Sequence, residues 1–377
     1  GVIIHEIGHI YFPMIVNSDE RQWTWMDEGL NTFLQFLAEQ EWDIDYRSDR
    51  GEARWITNYM LSNNQVPIMT NSESLLQFGN NAYGKPATAL NILRETILGR
   101  ELFDFAFKEY ANRWKFKRPT PYDVCRTMEE ASGVDLDWFW QGWFFSTNHV
   151  DISIEKISKG TLDTLNPKID SEKDREDRSK EPEALADIRN TQEGIITKVI
   201  ERPDLLDIYD EYDEFTPGIE QLEDYEEILE DLKDETNSDP YWKKNALQKA
   251  LSKNQNYYII EFKNNGGLIM PIPLEINYEN GEKEYIKIPA EIWRKKQKSV
   301  KWLKRSERKI KTVIMDPYWE IADTNLENNY YPRRMVPARL KPIARKGIKK
   351  NLMRDLMKRN QEIVSHSGTT NEGVSNE

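Results

Sequence analysis

The chain has 377 residues, a net charge of −13, 38% hydrophobic residues and 31% charged ones. That length holds two or three domains, and no apolar run approaches the ~20 residues of a membrane-spanning helix. The single cysteine, Cys125, excludes an internal disulfide and a cysteine-ligated zinc site. The charge is unevenly spread. Residues 203–240 are crowded with Asp and Glu, with Lys233 the only basic residue, whereas 333–359 are rich in Lys and Arg. Such a basic tail can attract nucleic acid or an anionic membrane. Without interleaved aromatics or a nucleic-acid-binding module it reads as a solvated tail, and no nucleic-acid partner is expected.

The first predicted helix covers residues 1–11 and ends before Pro13, which lacks a backbone N–H and disfavours helix at the residue before it. It carries His5-Glu6-Ile7-Gly8-His9 behind the apolar flank Val2-Ile3-Ile4. Two His at i and i+4 share one helix face, so both imidazoles can reach one ion. Glu6 reaches a neighbouring part of that face and can meet a water without ligating. A third ligand from elsewhere completes a site with one open position, the mark of catalytic rather than structural zinc. Residues 13–23 are a loop. A second helix runs from Thr24 to about Gln40, with Thr24 and Asp27 spaced as a capping box and Leu30, Phe33, Leu34 and Leu37 on its apolar face; Asp27 is alternatively placed to support a ligand from behind. Glu28 lies at its start, in Trp25-Met26-Asp27-Glu28-Gly29-Leu30.

Further helices are predicted at 48–61, 85–98, 101–114, 121–132 and 135–145, with Gly99, Pro119 and Pro121 as their punctuation. Tyr83 falls just before one of them, in Ala82-Tyr83-Gly84-Lys85-Pro86-Ala87. The aromatics from Trp138 to Phe145 sit at helical spacing and read as core rather than as a ligand platform. His149 and His366 lack ligand-like company. Residues 155–200 are charged and weakly patterned, read as linker or insertion. An acidic helix at 219–234 and a second helix at 241–253 follow. Tyr257–Phe262, Ile269–Tyr278, Lys283–Ile288 and Lys309–Met315 read as strands, with Glu279-Asn280-Gly281 as a hairpin turn, and suggest a small β-sandwich. Residues 335–377 are a helical or disordered tail.

At this point the chain resembles the gluzincin aminopeptidases, which include aminopeptidase N and leukotriene hydrolase. Their HExxH, eighteen residues, then Glu in a W-L-N-E-G-F-like stretch is matched without a gap from His5 to Gly29, and a Tyr-x-Lys-Gly-Ala-like motif is matched at Tyr83. The resemblance is strong over about residues 1–150. It implies His5, His9 and Glu28 as ligands of one zinc ion, Glu6 as general base and Tyr83 as a hydrogen-bond donor to the transition state. Departures are Ile10 in place of Gln, Pro13-Met14 in place of Gly-Asn, Asp27 in place of Asn and Pro86 in place of Gly. None removes a catalytic group, but together they mark a divergent branch, so substrate preference is not carried over.

The expected fold is multidomain α+β: the mainly helical half of a thermolysin-like zinc peptidase domain, a charged helical insertion and a small β-sandwich. Residues 1–154 would be the helical part, 155–255 the insertion, 256–334 the sandwich and 335–377 the tail. Family members carry a Gly-x-Met-Glu-Asn-like motif upstream of HExxH that holds the substrate amine. Only four residues precede His5, so the chain reads as a fragment of a longer peptidase. The expected function is zinc-dependent hydrolysis of peptides from the N-terminus once that portion is present. The alternative is a non-catalytic zinc-containing peptide-binding or interaction protein. Oligomeric state is not legible, and secreted, periplasmic and membrane-anchored locations all stay open.

Overall fold

In the computed structural model, residues 1–161, 166–207, 213–238, 255–334, 353 and 356–360 are described. The chain divides into two compact units, Gly1–Arg334 and Met335–Glu377. Most of the second unit, with His366, and the helix predicted at 241–253 lie outside the described residues.

The first unit opens with seven helices: α1 (Val2–Gly8), α2 (Glu28–Trp42), α3 (Ala53–Met60), α4 (Lys85–Ile92), α5 (Arg100–Trp114), α6 (Pro121–Ser132) and α7 (Asp137–Phe145). Amphipathic spacing explains most of them. In α2, Leu30 and Phe33 are fully buried, and Leu34 and Leu37 pack on the same core. A capping box of Thr120 and Asp123 starts α6, and Gly133 in the left-handed region ends it. From α7, Phe139, Trp140, Trp143 and Phe144 enter the core, as their spacing predicts.

Three sequence expectations shift locally. The first helix ends at Gly8, and Ile10–Ile15 form a wide turn in which Met14 N–H donates to His9 O. Pro13 sits in that turn, which accommodates its missing donor. The capping box expected of Thr24 and Asp27 does not form. Thr24 Oγ1 donates to Glu20 O and contacts Ser72 Oγ, and Thr24–Met26 make one tight turn before α2 begins at Glu28. The helix predicted from residue 48 starts at Ala53, after Gly51 at φ +97°, where a side chain would collide with Phe36.

Two antiparallel sheets follow. Strands β1 (Ile152–Thr161), β2 (Asn256–Asn264) and β5 (Ser299–Ser306) make one, in the order β1-β2-β5. The other has the order β4-β3-β6-β7, from β3 (Ile272–Tyr278), β4 (Lys283–Ile288), β6 (Ile310–Met315) and β7 (Tyr330–Tyr331). The predicted hairpin joins β3 to β4, with Gly281 at φ +87° in its turn. Alternation places Tyr258, Ile260 and Phe262 from one sheet and Leu274, Ile276 and Val313 from the other inside. Their core is continuous with that of the helices. Trp143 Nε1 donates to Met270 Sδ at 3.3 Å and so ties α7 to the sheet region, while Asp323 Oδ2 accepts from Ile152 N–H at 3.1 Å and ties the segment after β6 to β1.

Between β1 and β2 lie α8 (Pro167–Ser179), α9 (Leu185–Gln192), α10 (Lys198–Glu201) and the acidic α11 (Ile219–Ser238). The first three bury no residue. Among the described residues no helix is long and apolar enough to cross a membrane. Cys125 is free, and burial pushes its thiol up to about 12.

Candidate metal centre

The site is built where α1 crosses the start of α2. Asn31, fully buried on α2, donates from Nδ2 to His5 O at 2.8 Å. This close crossing needs Gly8: a Cβ there would stand 2.0 Å from Asn31 Oδ1. Gly29 plays the same part on the far side of α2, where a Cβ would meet Pro86 Cγ at 2.6 Å. The glycines therefore let the His pair, Glu28 and the Tyr83 segment approach one another.

Helical spacing puts His5 and His9 side by side, with ring centroids 4.7 Å apart and planes nearly perpendicular. His5 Nε2 lies 3.0 Å and His9 Nε2 3.4 Å from the same Glu28 oxygen, Oε2. Among the described residues, these three supply metal-ligand atoms within 4.8 Å of one another.

The other ring nitrogens decide what the cluster can hold. His5 Nδ1 is 2.9 Å from Gln35 Oε1, and His9 Nδ1 is 2.9 Å from Phe12 O. Gln35 Nε2 donates to Glu39 Oε1 at 2.7 Å, and Glu39 Oε2 accepts from Ser48 Oγ at 2.6 Å, so the amide presents its oxygen to His5. Both imidazoles therefore donate through Nδ1 and turn an Nε2 lone pair toward Glu28. Two lone pairs facing a carboxylate oxygen repel unless a proton or a cation sits between them. The donor set of two imidazoles and one carboxylate suits zinc and leaves room for a further ligand, so these residues fit the ion.

Asp27 is also here. His9 Nδ1 is also 2.9 Å from Asp27 Oδ1, a polar contact beside the hydrogen bond that Nδ1 makes to Phe12 O. Burial, with Glu28 adjacent, pushes the Asp27 carboxyl up to about 7.

Glu6 and Tyr83 line the same cleft as His5, His9 and Glu28, a space of about 560 Å³. Glu6 is exposed on α1. Tyr83 projects from a wide turn at Gly79–Gly84 that runs into α4, and its ring stacks on His5 with centroids 5.6 Å apart. Burial, and then its hydrogen bond to Glu28, hold the phenol well above its ordinary pKa, so it stays a donor. All five residues singled out in the sequence thus meet in one cleft. His149 is elsewhere, its backbone paired with Gly266 and Leu268. Sequence reasoning missed Gln35, Glu39 and Ser48. A signal was present: Gln35 lies seven residues after Glu28, two turns along the same face of α2.

Residues 1–143 match the peptidase family M1 domain. Glutamyl aminopeptidase of Sus scrofa is 26% identical over 168 residues, covering 42% of this chain and 17% of that protein. Probable aminopeptidase 1 of Sulfurisphaera tokodaii is 27% identical over 165 residues, covering 41% and 20%. The chain thus spans about a fifth of the length of these curated relatives. Among solved structures, Legionella pneumophila aminopeptidase A in complex with aspartic acid aligns with TM-score 0.44 at 12% identity, over 85% of this chain and 26% of that one. A substrate-bound M1 zinc metallopeptidase mutant from Deinococcus radiodurans aligns with TM-score 0.34 at 19% identity, over 38% and 32%. The match to the peptidase family M1 domain takes in the histidine pair, Glu28 and Tyr83, and ends before the sheets begin.

Proposed function

We propose that the cleft is the active site of a zinc metallopeptidase that removes residues from the N-terminus of peptides. The observation that carries this reading is the convergence of His5 Nε2, His9 Nε2 and Glu28 Oε2, with both histidines fixed to present a lone pair. The exopeptidase part is supported by the relatives, which are named aminopeptidases.

His5, His9 and Glu28 would hold one zinc ion per chain. The chemistry it supplies when bound is Lewis acidity, which brings the pKa of water from ~15.7 toward ~7 and polarises a carbonyl. Glu6, exposed at the cleft wall, accepts a proton from the attacking water on its carboxylate and delivers it to the departing amine. Tyr83 Oη donates a hydrogen bond to the oxygen on which negative charge grows. Gln35 and Phe12 O hold the imidazole rings in one tautomer throughout.

Metal analysis of the purified chain should find about one zinc, and His9→Ala or Glu28→Ala should abolish retention. Unchanged metal content in either variant would remove the site assignment. Glu6→Gln should retain zinc and lose most turnover; wild-type turnover would sink the mechanism. Comparing free peptides with their N-acetylated twins tests the exopeptidase reading, which equal cleavage would overturn.

A further inference from the structure

The cleft carries two arginines that the proposed hydrolysis does not use. Arg47 and Arg50 both line it, together with Tyr46 and Asp49, on the segment that follows α2. The Arg50 guanidinium carbon stands 4.6 Å from the centroid of the Tyr83 ring. Among the described residues neither arginine is in an ion pair or a hydrogen bond. The neighbouring acids are engaged elsewhere or out of reach. Glu39 is held by Ser48 and Gln35, Glu52 by Arg54, and Glu28 by the two histidines. Asp49 and Glu6, the other acids of the wall, make no ion pair with either arginine.

We propose that Arg50, with Arg47 beside it, anchors a carboxylate of the bound peptide: the C-terminal carboxylate of a short peptide or an acidic side chain. This rests on the peptidase reading and deepens it by naming a substrate feature. Contact with the Tyr83 ring limits the freedom of the guanidinium, whose planar fork matches a carboxylate with two parallel hydrogen bonds. The spacing also fits. Two ring-to-ring steps, 4.6 and 5.6 Å, separate the Arg50 guanidinium from the His5 imidazole by way of Tyr83. An extended peptide rises ~3.3 Å per residue, so a carboxylate within two or three residues of the reacting bond reaches Arg50.

The test uses the full chain carrying Glu6→Gln, zinc-loaded, so that bound peptide is not consumed. Calorimetric titration compares Ala-Ala-Ala with its C-terminal amide, and Ala-Glu-Ala amide with Ala-Gln-Ala amide. At least one carboxylate-bearing member should bind ~10-fold tighter than its neutral twin, the scale of one partly exposed hydrogen bond to a charged group. The first pair identifies a C-terminal source and the second a side-chain source. Adding Arg50→Gln should bring the twins within about twofold, and Arg50→Lys should keep part of the preference, because it keeps the charge and loses the fork. Circular dichroism checks that each variant is folded. Equal affinities within both pairs, a preference that survives Arg50→Gln, or no binding by any of the four would overturn the proposal. One zinc per chain with equal affinities would sink the anchor and leave the peptidase reading. An Arg50-dependent preference in a chain that holds no zinc would do the reverse.

Discussion

His5 shows how much of the proposed metal site is decided away from the ligand atoms. Its Nδ1 meets Gln35 Oε1, and the orientation of that amide depends on Glu39 and Ser48. Gln35→Leu keeps the helix and removes the acceptor, so it should weaken zinc affinity ~10–100-fold in chelator competition. Unchanged affinity would mean the tautomer is set without Gln35. No comparable substitution exists for His9, whose partner is the backbone oxygen of Phe12. Tyr83→Phe should lower kcat and kcat/KM together by ~10²–10³, the pattern for a donor used only in the transition state. Tyr59→Phe is the control: Tyr59 is buried in the core, with its hydroxyl on Asn81 Nδ2. Helical spacing makes the His5 and His9 pair legible, whereas Glu28 and Tyr83 are singled out by the resemblance to the gluzincin aminopeptidases. Gln35 went unseen because its role depends on how α1 lies across α2. Asp27 reads as a cap or as support for a ligand, and the structure turns it toward His9.

At the scale of the element, the crossing of α1 over α2 depends on one missing side chain. Gly8→Ala would drive a methyl into Asn31 Oδ1 and should destabilise the chain by ~1–3 kcal/mol, read by urea unfolding. In an Asn31→Ala background the same change should cost clearly less; an equal cost would place the strain elsewhere. The helices up to α7 are legible in the sequence because their apolar stripes are local, whereas α8, α9 and α10, which bury no residue, fall in a stretch that reads as linker or insertion. Strands β1, β5 and β7 were not. In β1, Ser153 bonds Lys263 O across 110 residues of sequence, a pairing no local window contains. In β5 only Val300 and Ser306 are buried, so its alternation is faint among charged residues. By contrast β3 and β4 are joined by a turn whose chemistry is explicit in Asn280-Gly281.

At the scale of the whole first unit, Lys85 ties three regions together. It is fully buried, and its Nζ donates to Gln65 Oε1 at 2.7 Å and to Ser146 O at 3.2 Å, linking the start of α4 to the segments after α3 and α7. Burial lowers its pKa to about 7. The unfolded chain holds that proton up to about 10.4. Between those two values the unfolded state binds more protons, so stability should rise with pH through this window and fall as pH drops through 7. Lys85→Met should flatten the slope, with the two proteins diverging by at most ~4 kcal/mol between pH 7 and 10. Parallel urea midpoints across that range would show that Lys85 stays charged when folded.

The state of Cys125 has a practical consequence. Thiol chemistry proceeds through the thiolate, and the one sulfhydryl of the sequence is held near 12 by burial. A cysteine placed at Asp49, exposed on the cleft wall, would ionise near 8.5 and react with a maleimide dye while Cys125 stays dark. Residues 1–377 should therefore serve as a single-site labelling background, in which fluorescence from the rim of the cleft would report whether an added peptide arrives there.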